Sequence, residues 1–353
     1  MHDQLTMFPK LSARFPSTRY QGSKAKLVDW IWSHVGKLDF GSMLDAFAGT
    51  GCVGYRAKRE GIQVTYNDLL RFNHQIGVAL IENDTVRLDD TTVEWLLMRH
   101  PHIEYPTFVT DTFEGVYFTD NENVWIDQTI TNLRQLTNRF EFALGFFALC
   151  QACIIKRPYN LFHRRNLYVR TAEVERSFGN KTTWDQPFGE CFRRFVSEAN
   201  RAVYASGCAC RALNLDALEV PGNHDVVYID TPYVSSQGVG LDYRDFYHFL
   251  EGLTIYDQWP EKIDWSSKHL RLIRDDNAWT DKNRIQGAFR RLFSRFADSA
   301  LVVSYRSDGI PTTEELISLM REYKSEVQVH HYGKYKYVLS KNSGSNEVLL
   351  IGT

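Results

Sequence analysis

Apolar side chains change their spacing several times along this chain, and each change marks an element. Residues 42–47, "SMLDAF", and 62–68, "IQVTYND", have the short β-branched and aromatic density of strands. Between them lie the glycine loop Ala48-Gly-Thr-Gly51, a predicted helix reaching Glu60, and Gly61 as its stop. Upstream, Leu27, Ile31 and Val35 repeat at helical spacing after the turn-like "RYQGSK". Strand, loop, helix, strand is a βαβ unit, which predicts a parallel sheet with right-handed crossovers. From about Arg71 to Ala205 the pattern turns mainly helical, with polar loops. Strand signals return at "CRALNLDALEV", "DVVYIDTPY" and "ALVVSYRS", and "KYKYVLSKNSGSNEVLLIG" reads as two strands around a turn at 342–346, a hairpin. The expected architecture is an α/β core drawn from 1–75, 206–253 and 296–353. Into it are inserted a mainly helical region, 76–205, and a smaller segment, 254–295, after Leu253.

One strand ends oddly. Asp225-Val-Val-Tyr-Ile229 is a buried type of run, yet Asp230-Thr-Pro-Tyr233 follows at once, and Pro232 donates no ladder hydrogen bond. An acid and an aromatic at the end of a core strand point to chemistry there.

Composition narrows the classes without choosing among them. The 353 residues are 43% hydrophobic and 24% charged, as in ordinary globular chains. No window approaches roughly 18 uninterrupted apolar residues, and "MHDQLTMFPK" lacks a basic stretch followed by an apolar one. Neither export nor a membrane span is expected. Six cysteines include Cys150-x-x-Cys153 and Cys208-x-Cys210, but the first pair sits in the apolar run "ALGFFALCQACII", where sulfur fills core. No metal site is expected, and a reducing cytoplasmic compartment accounts for the thiols.

With a net charge of −2, any nucleic-acid surface must be local. Two basic clusters exist. From Lys156 to Arg176, basic residues interleave with Tyr159, Asn160, Phe162, His163 and Tyr168; from Lys268 to Arg295 they are diluted by Asp275, Asp276 and Asp281. The first suits phosphates and base edges better.

Gly49-x-Gly51-x-x-Gly54, with Asp68 closing the next strand, satisfies a dinucleotide fingerprint on paper, so an NAD-dependent oxidoreductase is a rival reading. Asp45 argues against it. A carboxylate at the mouth of the loop would repel a pyrophosphate at a cost on the order of a few kcal/mol. It would welcome the cationic S-adenosylmethionine, whose ribose still needs an acid such as Asp68. For a methyl acceptor that is the exocyclic amine of a base, Asp230 and the carbonyl of Thr231 can each accept one N–H. Residue 231, preceding Pro232, is held extended, and Tyr233 offers a ring on which a flipped base can stack.

These residues resemble the DNA adenine methyltransferases of the alpha arrangement, the Dam-like enzymes. The family's aromatic-x-Gly-x-Lys is similar to Tyr20-Gln-Gly22-Ser-Lys24, and its Asp-x-Phe-x-Gly-x-Gly to Asp45-Ala-Phe47-Ala-Gly49-Thr-Gly51. The acid of its second strand resembles Asp68, and the acid near the cofactor's adenine resembles Asp216. Its Asp-Pro-Pro-Tyr is matched by Asp230-Thr231-Pro232-Tyr233, with Thr231 the one departure. The resemblance implies a Rossmann-like, mixed seven-stranded sheet plus a target-recognition domain in 76–205. It implies methyl transfer from S-adenosylmethionine to the 6-amino group of a flipped adenine in double-stranded DNA, with Asp230 touching both cofactor and base. Lys156, Arg157, Asn160, Arg164, Arg165, Lys181 and Trp184 then become the expected DNA contacts, with 254–295 a further basic segment near DNA. A bacterial or phage-encoded enzyme acting on DNA as a monomer beside a separate restriction endonuclease is the expected setting. A cytosine-N4 enzyme and an inactive DNA-binding regulator remain as alternatives.

Overall fold

In the computed structural model, residues 13–174, 181–334 and 346–353 are described. The main sheet is built from β1 (Ser42–Asp45), β2 (Gln63–Asn67), β3 (Arg211–Leu213), β4 (Val226–Ile229), β6 (Ala300–Arg306), β8 (Val327–Lys334) and β9 (Asn346–Gly352). These seven strands run in the order β3-β2-β1-β4-β6-β9-β8. Pairing is parallel from β3 through β6 and antiparallel at β6–β9 and β8–β9, so the sheet is mixed. Two residues of β5 (Val234–Ser235) pair with β7 (Gly309–Ile310) outside it.

The continuous apolar run of β4 follows from burial on both faces. Val226 and Tyr228 join one core cluster, which includes Val53 and Ala57 of α2 (Cys52–Arg59). Val227 and Ile229 join the other, with Phe289 of α13 (Ile285–Arg295) and Leu316 of α14 (Thr313–Met320).

Between β2 and β3 the described chain forms helices joined by loops, with no strand among the described residues. It runs through α3 (Arg71–Gly77), α4 (Asp90–Leu97), α5 (Phe108–Thr112), α6 (Asp120–Leu133), α7 (Arg139–Ile155), α8 (Tyr168–Thr171), α9 (Lys181–Asp185) and α10 (Phe188–Ala202). Every residue of α7 from Ala143 to Ile155 is buried, which is why its sequence is apolar on all sides. It packs against α3 and α10, and its side chains belong to the same cluster as the first face of the sheet. Cys150 and Cys153 are part of that filling, and burial pushes both thiols well above their ordinary range.

Two elements differ from the sequence expectation. The strand expected through "CRALNLDALEV" stops at Leu213, because Asn214 donates to the carbonyls of Asp68 and Leu69 and Asp216 turns the chain by accepting from the Leu218 amide. The terminal hairpin already has a strand at Val327–Lys334, where polar residues hide the alternation, while the strand expected over "KYKYVLS" and the turn at 342–346 fall almost wholly on residues 335–345, outside the described ones. Among the described residues no helix is long and apolar enough to cross a membrane.

Candidate active site

Strand order reverses between β1 and β4, and in open α/β sheets ligands bind beyond the strand ends at such a switch point. Asp45 ends β1 there, and Asp230 follows β4. A cavity of about 690 Å³ opens at this place, with Tyr20, Asp45, Phe47, Asp68, Asp216 and Asp230 among its walls.

Backbone amides tie the glycine loop to the acids. Gly49, at φ 53°, donates to Asp68 Oδ2 at 2.8 Å, and Leu70 N donates to Asp68 Oδ1 at 2.8 Å. Gly51 caps α2 at φ 72°, a left-handed geometry that favours glycine. Gly54 N donates to Asp45 Oδ2 at 3.0 Å, so a carboxylate already occupies the first turn of α2, where a dinucleotide's phosphate would need to lie. Asp45 Oδ1 is buried and has no partner among the described residues. Burial without a counter-charge pushes the Asp45 carboxyl up to about 8 and, despite its amide bonds, Asp68 up to about 6.

The N-terminal motif forms the opposite wall. Tyr20 stacks on Tyr243 and Tyr247 of α11 (Tyr243–Thr254), with centroids 5.6 and 4.6 Å away. At Gly22, φ 83°, a Cβ would lie 2.2 Å from Tyr243 Oη, so only glycine fits. This turn delivers Lys24, 5% exposed, to a point 3.0 Å from Asp230 Oδ1 and 3.1 Å from Glu347 Oε1. Lys24 also donates to Tyr233 Oη, which donates to Asp230 Oδ1 at 2.8 Å. Both contacts of Asp230 fall on Oδ1; Oδ2 accepts no hydrogen bond among the described residues. Burial raises Asp230 to about 6, against the pull of Lys24. Burial opposes protonation of Lys24, but Asp230 and Glu347 raise it well above the usual ammonium range.

Two expectations at this motif change. Tyr233 is 4% exposed and packs edge-on against Tyr305, so its ring is no open stacking face here; its hydroxyl fixes Asp230 instead. Thr231 is buried and its hydroxyl lacks a partner among the described residues, so the departure from proline adds a polar atom without adding a bond. Pro232 lines the cavity.

The expected DNA contacts split into two groups. Arg157, 1% exposed, donates to the carbonyls of Leu161, Tyr117 and Arg164 and to Asn166 Oδ1, which makes it an internal brace of the loop after α7. Lys156 is equally buried, bonded to Glu122 and the Trp184 carbonyl, and Trp184 itself is 8% exposed. Arg170 shares Glu122 with Lys156. These residues are corrected from DNA contacts to packing. Arg164 and Arg165 are exposed, as is Lys181, which pairs with Asp185; Asn160 is half-buried at φ 58°. Arg176 of the same cluster lies outside the described residues. The 254–295 segment contributes Ile273, Asp276, Asn277 and Trp279 to the cavity wall, with Trp279 edge-on to Phe47 at 4.9 Å. Three of its arginines are paired with acids, Arg271 with Asp264, Arg274 with Asp245 and Arg284 with Asp276, while Arg291 is exposed.

The profile of the D12 class N6 adenine-specific DNA methyltransferases matches residues 20–275, from the stacked Tyr20 past the Asp230 motif. The chain belongs to that family. The type II methyltransferase M2.HphI of Haemophilus parahaemolyticus is 28% identical over 324 residues, covering 90% of each chain. The type II methyltransferase M.CviAII of Paramecium bursaria Chlorella virus 1 is 23% identical over 343 residues, 91% of this chain and 93% of its own. The modification methylase LlaI of Lactococcus lactis subsp. lactis is 25% identical over 349 residues, 94% of this chain but 53% of its own. Among solved structures, the rRNA methyltransferase aviRa from Streptomyces viridochromogenes covers 97% of the chain at 13% identity and a TM-score of 0.30, too distant to bear on the site. The family assignment sets aside the oxidoreductase reading and favours adenine N6 over cytosine N4.

Sequence patterns missed four residues of this methyltransferase's site. Asn73 brings to the cavity wall a second buried acceptor, Oδ1, that has no partner among the described residues. Tyr243 and Trp279 line it from α11 and from the 254–295 segment, and Glu347 reaches Lys24 from β9. Glu347 had one signal available, a lone acid opening the apolar run "EVLLIG".

Proposed function

We propose that the methyltransferase transfers a methyl group from S-adenosylmethionine to the 6-amino group of an adenine flipped out of duplex DNA at a specific sequence. One observation carries this reading: a switch-point cavity walled by Asp45 and Asp230, each with one carboxylate oxygen that takes no bond from the described residues. The donor set fits that cofactor. Among the described residues Asp45 lacks a counter-cation and Asn73 Oδ1 an N–H or O–H donor, while Asp68 directly after β2 and Asp216 in the turn after β3 serve as acceptors for ribose and adenine. Tyr20, Gly22, Lys24, Phe47, Gly49 and Gly51 shape the remaining wall or its loop. When bound, S-adenosylmethionine supplies an electrophilic methyl on a sulfonium.

The protein's part is orientation and charge placement, because an amine conjugated to its ring is a poor nucleophile. Lys24 and Tyr233 hold Asp230 by Oδ1, which aims Oδ2 at one amine N–H. The carbonyl of Thr231 accepts the second, and the positive charge that develops on nitrogen is met at Oδ2. Arg164, Arg165, Asn160 and Lys181 are the proposed DNA contacts in the 76–205 recognition region. A single chain acting on DNA in a bacterial cytoplasm or on behalf of a virus, beside a separate endonuclease, agrees with type II relatives from bacteria and a chlorella virus. A thermal shift tests the cofactor: stabilisation by S-adenosylhomocysteine and not by NAD is expected, and stabilisation by NAD alone would overturn the assignment.

A further inference from the structure

Among the described residues Lys24 faces a second buried acid beside Asp230, and that acid comes from the far end of the chain. Strand β9 is apolar from Val348 to Ile351, yet its second residue, Glu347, is an acid with 0% exposure. Its Oε1 lies 3.1 Å from Lys24 Nζ and accepts Ser304 Oγ of β6 at 2.6 Å. One ammonium therefore sits between two carboxylates, Asp230 at 3.0 Å and Glu347 at 3.1 Å. Facing Lys24 alone, Asp230 would be less basic and so a poorer acceptor for the amine proton, and the Glu347 charge opposes that effect. Burying a second acid is costly unless it is bonded, and here it is bonded to both Lys24 and Ser304.

We infer that Glu347 is a positioning residue for methyl transfer: by sharing the Lys24 ammonium it leaves Asp230 enough negative charge to hold the amine proton at Oδ2. The inference rests on the role proposed for Asp230 and names a residue that role does not require. Other groups facing the pair are Tyr228 and Tyr233 from the β4 end, Tyr243 from α11, Asp45 from β1, and Arg306, whose guanidinium lies 5.9 Å from the Tyr233 ring centroid. Burial lifts Asp230 to about 6, Lys24 lowers it, and Glu347 lifts it again. Removing the Glu347 charge therefore lowers Asp230, and the acid limb of the rate moves to lower pH.

The experiment is a single-turnover pH profile from pH 5 to 9, using the full chain, tritiated S-adenosylmethionine and unmethylated duplex DNA. Glu347→Gln keeps an acceptor for Ser304 and removes only charge. The limb is expected to fall from near pH 6 by roughly one unit, and the plateau rate by roughly tenfold, with KM for DNA and cofactor affinity unchanged. A lower Tm with the limb in place would mean a purely structural residue and overturn the inference. If E347Q does not fold, Ser304→Ala keeps the Glu347 charge, so the limb should stay or rise, and a fall overturns it. An unchanged E347Q profile beside an active wild type removes only the role of Glu347. A wild type that transfers no label at any pH removes the Asp230 reading, and this inference with it.

Discussion

The switch-point cavity and the loop after α7 both bury charge, and they treat it in opposite ways. Around α7 the buried cations Arg157 and Lys156 are bonded inside the protein. Arg157 has four internal acceptors, and Lys156 and Arg170 converge on Glu122. At the cavity, among the described residues, Asp45 Oδ1 has no partner and Asp230 has one oxygen without a bond, and three carboxyls sit well above their ordinary range. A saturated buried charge is scaffolding, whereas one left incomplete at a cavity wall has its missing partner in a ligand.

Replacing groups on either side sharpens the contrast. Asp230→Ala should lower the single-turnover rate by about 10³-fold or more, while calorimetric affinity for S-adenosylmethionine changes far less; near-normal turnover would defeat the orientation mechanism. Arg157→Ala should cost roughly 3 kcal/mol of stability in denaturant unfolding, since it strands several buried acceptors. Loss of DNA affinity at full stability would instead return Arg157 to the DNA surface. Asp45, raised to about 8, is largely protonated at neutral pH in the free protein. A cation beside it favours the carboxylate, so affinity for S-adenosylmethionine should rise by up to about tenfold per pH unit from 6 to 8 and level off above. Asp45→Asn should flatten that slope in calorimetry. The sign for folding is the reverse: native Asp45 holds its proton above the unfolded value, so its contribution to stability is lost as pH rises toward 8. The smallest effect is expected at Arg164, whose exposed side chain takes no part in the Arg157 network that its backbone carbonyl joins. Arg164→Ala should weaken DNA binding several-fold and, if it holds phosphate, reduce the salt slope by about 1.

How much of this was legible depended on whether position followed from local pattern. Asp45 and Asp230 could be placed because each ends an apolar strand, and Pro232 marks where the second must stop. The direction of Lys156 and Arg157 could not. They follow a helix buried on all sides, so the chain leaves α7 still inside the protein, and a basic run in sequence becomes an internal brace. The residue type of Tyr233 suits a stacking face, but the tertiary contacts of Lys24 and Tyr305 use its hydroxyl and ring. Glu347 lies more than three hundred positions from Lys24, and only the pairing of β9 with β6 brings them together.

The central claim is that this site methylates adenine N6 through Asp230. Incubating wild type and Asp230→Ala with tritiated S-adenosylmethionine and unmethylated duplex DNA, then separating the digested nucleosides, tests it directly. Label in N6-methyldeoxyadenosine for the wild type and none for the variant is expected. Label in N4-methyldeoxycytidine, or equal label from both proteins, would contradict it.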